Sequence, residues 1–302
     1  MKLIDCFMYF NEKDVAYLRI NELYDSVDYF VVNELSTTHK GIKRKSTFWE
    51  DERLKNFKDK IKYQFIDVDN RYDSLFDLHF KDSSRFVGSW AEHEQRLRLM
   101  NQVEELNLSD EDIILFSDCD EIPNKNIFNQ LKDYEVVALN QMFFVHYINL
   151  YTNKNVTGTI SVKYKKIKEI DNNTQNLGLQ VLRRHKDYIA RIENGGWHYS
   201  YMGGAKTMSE KVVSIYEGDP NSHLKDENQS KELINNTIRD LKSPFSSEPI
   251  KILDFNNKEL FIDFITAQSG HWIKNASKCQ VYPEILENNG RNKFKDLIYS
   301  NE

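Results

Sequence analysis

The chain has 302 residues, 40% of them hydrophobic and 13% aromatic, enough for one large core or two small ones. Its 41 Lys and Arg against 47 Asp and Glu give a formal charge of −6, which speaks against a general nucleic-acid binder. Cys6, Cys119 and Cys279 form no Cys-x-x-Cys pair, which argues against a disulfide scaffold or a structural zinc site, and no run approaches the roughly 18 apolar residues of a bilayer span, so no transmembrane anchor is expected.

Residues 3–10 form an apolar run that predicts a buried first strand rather than a signal peptide, because Asp5 interrupts it. Asn11 is placed to cap a helix running to about residue 24. Residues 27–33 are β-branched and aromatic, a second strand. Residues 49–60 read as helix and 61–68 as strand. Residues 90–106 form a strong amphipathic helix, with Trp90, Leu97, Met100, Val103 and Leu106 near one face. Residues 112–116 are a short apolar strand ending in Ser117-Asp118-Cys119-Asp120-Glu121, and Pro123 is placed to open the next helix. Longer strands are expected at 136–150 and 159–167, a strand-rich segment at 181–201, and amphipathic helix over 206–241. This alternation predicts an α/β fold with a mostly parallel, doubly wound sheet and helices on both faces. We expect a single domain over 1–302, with a nucleotide-binding half to about 135 and an acceptor-side half from 136.

In such sheets ligands bind beyond the carboxyl ends of the strands, where four groups of residues could do chemistry. Asp118 and Asp120 are alternate carboxylates after a buried strand; their hard oxygens suit Mn²⁺ or Mg²⁺, which could offset charge on a departing nucleoside diphosphate. The plainer alternative is an acidic turn capping a helix. Gln95 and Arg96 lie on the long helix, where Arg96 could meet phosphate oxygens or be an ordinary surface arginine. Gly195-Gly196-Trp197-His198, followed by Gly203-Gly204, could bring backbone, an aromatic face and a metal-ligating imidazole to a ligand, or could be a bulged core strand. Asn11, Glu12 and Glu34 follow the first two strands on the nucleoside side, or serve as helix caps and loop polar groups. The basic run over 40–45 reads as a solvated loop.

These segments together resemble glycosyltransferase family 17, which includes the β-1,4-mannosyl-glycoprotein β-1,4-N-acetylglucosaminyltransferases. The resemblance is carried by Asp5-Cys6-Phe7, Phe10-Asn11-Glu12, Arg19-x-Asn21-Glu22-Leu23-Tyr24-Asp25, Val31-Val32-x-Glu34, Thr38-His39-x-Gly41, Trp90 with Gln95-Arg96, Ser117-Asp118-x-Asp120-Glu121-Ile122-Pro123 and Gly196-Trp197-His198-x-Ser200-x-x-Gly203-Gly204, in order across roughly residues 5–215. Cys119 departs from the more usual middle residue of the acidic triplet, and the resemblance fades after about 215, so the acceptor side is the less constrained part.

The resemblance implies a GT-A-type nucleotide-diphospho-sugar transferase fold, a UDP-sugar donor (UDP-GlcNAc in known members), Mn²⁺ dependence and inversion. It implies a carbohydrate acceptor on a glycan, glycolipid or glycoprotein. On that basis Asp118, Asp120 and His198 are expected to hold the metal. Asn11, Glu12, Glu34, Gln95, Arg96, Asp118 and Trp197 are expected to meet the nucleotide. Asp120 takes part in catalysis, and Glu193 is the candidate base, with Glu217 and Asp219 as rivals. The segment 71–88 is a candidate lid. A cytoplasmic setting is expected from the absence of an anchor. Rival readings are a sugar-binding protein that has lost turnover, a two-carboxylate hydrolase, and a sugar nucleotidyltransferase; against the last, Asn11-Glu12-Lys13 lacks the expected glycine-rich loop.

Overall fold

The alternating residues of the first strands face two different cores. In β1 (Leu3–Met8), Ile4 and Cys6 join Val31 of β2 (Tyr29–Leu35) and Leu99, Met100 and Val103 of helix α2 (Val87–Glu104) on one face. Phe7 points the other way, with Phe30 and Val32, onto Val15, Ala16 and Leu18 of α1 (Lys13–Leu23). Strands buried on both faces need helices on both faces, which is why their sequences run apolar without a polar side. The computed structural model describes residues 1–39, 42–68, 87–174, 178–214, 226–244, 246, 248–253 and 258–263, with backbone only at 87–93 and 173–174. Gly41, Glu217, Asp219, Cys279 and most of the 71–88 segment lie outside the described residues.

The remaining strands are β3 (Ile61–Ile66), β4 (Ile113–Asp118), β5 (Glu121–Pro123), β6 (Val136–Val145), β7 (Leu150–Lys163), β8 (Arg191–Ser200) and β9 (Lys251–Ile252). They form one nine-stranded sheet in the order β3-β2-β1-β4-β7-β6-β8-β5, with β9 beside β7. β3, β2, β1 and β4 are parallel. β7 is antiparallel to both β4 and β6, so β6 regains the direction of β4, and β8 is parallel to β6. The carboxyl ends of β1, β2, β4 and β8 therefore share one edge. The expected doubly wound α/β arrangement is present, with antiparallel pairs added in the second half.

Several local expectations are corrected. Asn11 does not cap α1: Glu12 occupies the cap position without a capping bond, and the Asn11 amide donates to Glu210 instead. Residues 49–60 form two 3₁₀ stretches, Phe48–Glu50 and Glu52–Phe57. Pro123 ends strand β5 rather than opening a helix, and β5 has β8 as its partner. The second half also holds helices α3 (Tyr164–Thr174) and α4 (Gly178–Arg184), which take over the expected strand at 164–167 and 181–184. The amphipathic region after 200 is two helices, α5 (Gly204–Ser214) and α6 (Glu227–Asp240), whose Met208, Val212, Ile234 and Ile238 pack on Val145 and Leu150.

Candidate active site

Strand β4 carries Ile113-Ile114-Leu115-Phe116 through the core, then exits at Ser117-Asp118, and the chain turns at Cys119-Asp120 into β5. One buried side chain fixes this turn. Arg19, fully buried on α1, pairs with Asp5 of β1 through Nε (2.8 Å) and Nη2 (2.6 Å). Its Nη2 also donates to Ser117 Oγ (2.7 Å), and its Nη1 to the carbonyls of Asp118 (2.8 Å), Cys119 (3.3 Å) and Glu121 (3.1 Å). A planar fork fits that set; a lysine could not. The acidic turn is thus held from below by the first strand and first helix.

Above the turn, each carboxylate meets cations of the chain itself. Asp118 Oδ2 accepts from Arg183 Nη2 at 2.6 Å, and its Oδ1 lies 3.8 Å from Arg96 Nη2. Burial alone would raise its pKa, but Arg183, Arg96 and Lys186 outweigh that and hold the carboxyl well below the usual range. Arg183 is itself oriented by Glu121, which accepts from both its Nη atoms at 2.8 and 2.7 Å. Asp120 Oδ2 accepts from Lys211 Nζ at 2.9 Å, and Oδ1 lies 3.6 Å from His198 Nε2. Here too burial opposes ionisation, and Lys211 followed by His198 outweighs it, so the pKa is lowered. Lys211 is kept charged: burial pulls its pKa down, but Asp120 and Glu12 push it well above the ordinary lysine value.

A cavity of about 420 Å³ runs along this edge of the sheet. Asp118, Cys119 and Asp120 form its floor after β4; Met8, Tyr9, Phe10 and Glu12 line it after β1. His198, Ser200, Lys211, Thr37, His39, Arg44 and Gln95 also line it. A second cavity of about 360 Å³ adjoins it between the start of α1 and helix α5, sharing Phe10, Glu12, Asp120 and Lys211.

Residues 1–238 match Glycosyltransferase family 17. The chain belongs to that family. Among curated proteins none matches significantly. Among solved structures, the galactosyltransferase LgtC, determined with donor and acceptor sugar analogues, is similar at 16% identity and a TM-score of 0.30, over 76% of this chain and 83% of that one. Mouse xyloside xylosyltransferase 1 in its apo form is similar at 11% identity and a TM-score of 0.31, over 63% and 77%. At such TM-scores neither likeness carries an argument about this chain. The family 17 protein has a mixed α/β sheet with helices on both faces.

Of the residues singled out in the sequence, Glu12, Gln95, Asp118, Asp120 and His198 line the first cavity. Asn11 lines only the second. Arg96 is no surface arginine: it is 3% exposed, behind Asp118, with Nη1 donating to Gln180 at 2.5 Å. Glu34 is fully buried outside both cavities, and its carboxylate accepts from the Thr47 and Phe48 amides, the Thr47 hydroxyl and the Tyr63 hydroxyl while pairing with Arg44 at 2.7 Å. It anchors the loop that presents Arg44. Trp197 is also turned into the core, its Nε1 donating to the Leu260 carbonyl at 2.8 Å.

The Gly195-Gly196 pair serves the sheet, not a ligand. A Cβ on Gly196 would lie 2.1 Å from the Ile122 carbonyl, and one on Gly195 2.6 Å from Leu139 Cβ, beside a register shift between β6 and β8. The bulged-core-strand alternative describes this stretch. Glu193 is exposed near the start of β8, outside both cavities, with its carboxylate bound by Asn140 at 2.6 Å. Five residues along a strand separate it from His198, roughly 16 Å at strand rise. The structure does not bring it to the cavity.

Sequence reading missed Arg19 with Asp5, Arg183, Lys186 and Lys211. Arg19 and Asp5 lay inside matched segments, yet no pattern said they would meet. Arg183 and Lys211 are ordinary basic residues of amphipathic helices, and only the fold reveals them.

Among the described residues, no three His, Cys, Asp or Glu side chains gather into a ready-made metal site. The donor set still fits a hard divalent ion whose remaining ligands arrive with it. Asp118 Oδ1 is buried without a hydrogen-bond partner, and Asp120 Oδ1 and His198 Nε2 face one another beyond hydrogen-bond distance. Carboxylate oxygens and an imidazole nitrogen are ligands that Mn²⁺ accepts.

Proposed function

We propose that this family 17 member is a metal-dependent, inverting glycosyltransferase that moves N-acetylglucosamine from UDP-N-acetylglucosamine to a hydroxyl of a carbohydrate acceptor on a glycan, glycolipid or glycoprotein. The observation that carries the reading is the pair Asp118 and Asp120 at the carboxyl end of β4, on the floor of a cavity that also receives His198 and Lys211. Thr37, His39, Arg44 and Gln95 of the same lining offer hydrogen bonds for a nucleoside. Asp118, Asp120 and His198 are the residues that would hold Mn²⁺ or Mg²⁺, which neutralises charge on a leaving diphosphate. Lys211, Arg96 and Arg183 provide fixed positive charge beside it, oriented before substrate arrives. One nine-stranded sheet crosses from the nucleotide half into the half after residue 135, which supports a single domain. No described helix is long and apolar enough to cross a membrane, and the buried free thiols of Cys6 and Cys119 suit a reducing, cytoplasmic setting.

Calorimetric titration of UDP, with and without Mn²⁺, tests this on wild type and Asp120→Asn. Binding that requires Mn²⁺ and is lost in the variant is expected. Absence of UDP binding to wild type in both conditions would overturn the reading.

A second reading rests on the ion pairs of the site. Arg183 and Lys211 already balance Asp118 and Asp120, so the donor would bind without an ion. UDP affinity that is indifferent to Mn²⁺, and that falls in Lys211→Met, would favour it.

A further inference from the structure

We infer that the second cavity, between the start of α1 and helix α5, is the acceptor site, that it takes a neutral sugar, and that Glu12 removes the proton from the attacking hydroxyl. This rests on the first cavity being the donor site.

An inverting displacement needs the nucleophile and the leaving group on opposite sides of the anomeric carbon. The acceptor must therefore enter from a space that adjoins the donor space. The second cavity does so, and the shared residues Phe10, Glu12, Asp120 and Lys211 mark the junction. A base has to stand at that junction, within hydrogen-bond reach of the hydroxyl. Two carboxylates are there. Asp120 is held by Lys211 at 2.9 Å. Glu12 is held differently: Oε2 accepts from the Phe10 and Asn11 amides at 3.0 and 3.1 Å, while Oε1 lies 3.6 Å from Lys211, beyond hydrogen-bond distance. One oxygen is thus anchored by backbone, and the other makes only an ion pair with Lys211, without a hydrogen bond, so its lone pairs can still accept from a substrate hydroxyl. The remaining carboxylates of the second cavity are not at the junction; Asp14 pairs with Arg53 at 2.7 Å, and Glu210 accepts from Asn11 at 3.2 Å.

The lining names the acceptor's class. Phe10 and Met202 offer apolar faces, and Asn11, Lys206, Thr207 and Glu210 offer donors and acceptors among them. Lys13, Lys206 and Lys211 are countered by Glu12, Asp14, Asp120 and Glu210, so no excess of positive charge favours an anionic acceptor. In the step, the acceptor oxygen forms its bond to the anomeric carbon as the bond to the diphosphate oxygen breaks. The electron pair leaves on the diphosphate, and the hydroxyl proton passes to Glu12 Oε1.

The test measures UDP release from UDP-N-acetylglucosamine with methyl mannoside, methyl galactoside, methyl glucoside and methyl N-acetylglucosaminide as acceptors, alongside UDP affinity by calorimetry. Glu12→Gln is expected to lose at least about 10²-fold in kcat, the scale of a missing base, with UDP affinity within threefold of wild type. Thr207→Trp, which fills the second cavity on α5, is expected to raise acceptor KM at least tenfold with UDP affinity unchanged. Glu12→Gln turning over within fivefold of wild type overturns the base. Thr207→Trp with wild-type acceptor KM overturns the site. A wild type that binds UDP yet transfers to none of the glycosides overturns the neutral-sugar assignment. Failure of wild type to bind UDP would instead break the donor reading. If Glu12→Gln does not fold, Glu12→Ala, which also lacks the carboxylate, takes its place under the same criteria.

Discussion

Replacing Arg19 by lysine keeps a buried positive charge and removes the fork. Six hydrogen bonds leave the guanidinium, to Asp5 twice, to Ser117, and to the carbonyls of Asp118, Cys119 and Glu121. An ammonium has three N–H donors, so at least three of these contacts end without a donor. Each buried hydrogen bond lost costs about 1 kcal/mol or more, and a weakened pair with the fully buried Asp5 adds to that. A loss of about 3–5 kcal/mol follows, a large share of the roughly 5–15 kcal/mol that domains possess. The loss is not only global, because half of the contacts are to the turn bearing Asp118 and Asp120. Urea unfolding should show the lower midpoint, and UDP titration should show at least a tenfold weaker affinity under conditions where the variant remains folded. A variant with wild-type midpoint and wild-type UDP affinity would refute the claim that the fork sets the acidic turn.

Two further predictions concern the scaffold. His146 is buried just after β6 beside Tyr201, and burial, opposed in part by the Tyr201 backbone, lowers its pKa from 6.5 to about 4. The neutral form is the folded form, so the contribution is complete above about pH 6.5, declines as pH falls, and levels off below about 4; 2.5 units at 1.36 kcal/mol each is about 3 kcal/mol. His146→Asn, which tolerates the φ of 60° there, should lack that part of the acid slope in urea unfolding between pH 7.5 and 4.5; parallel wild-type and variant profiles would exclude it. Gly196→Ala should destabilise far more than Gly204→Ala. Both have positive φ, but a Cβ at 196 strikes the Ile122 carbonyl at 2.1 Å whereas one at 204 meets nothing within 4 Å. The second change is limited to the roughly 1–2 kcal/mol of left-handed strain; equal unfolding midpoints for the two variants would contradict the close approach of β5 and β8.

The parallel half of the sheet was legible because its strands are buried on both faces, and runs such as Ile113-Ile114-Leu115-Phe116 have no polar alternative. The carboxyl-edge rule then located Asp118 and Asp120 without any contact being known. The rest of the site fails to show in sequence for a definite reason: its partners come from segments far apart in the chain, with Arg183 65 residues and Lys211 91 residues from the carboxylates they meet. A lysine on an amphipathic helix carries no local mark of whether it will face water or a buried aspartate. The same limit misdirected Glu193, which is near His198 in sequence but at the far end of the same strand, since strand spacing turns five residues into a separation no hydrogen bond can span. Glu12 was read in the opposite sense, as one polar residue of a nucleoside set, because its place at the meeting of two cavities depends on α5 arriving from 200 residues later. Proximity along the chain locates chemistry in a turn such as 118–121; across an edge built from four strands, only the directions of those strands do so.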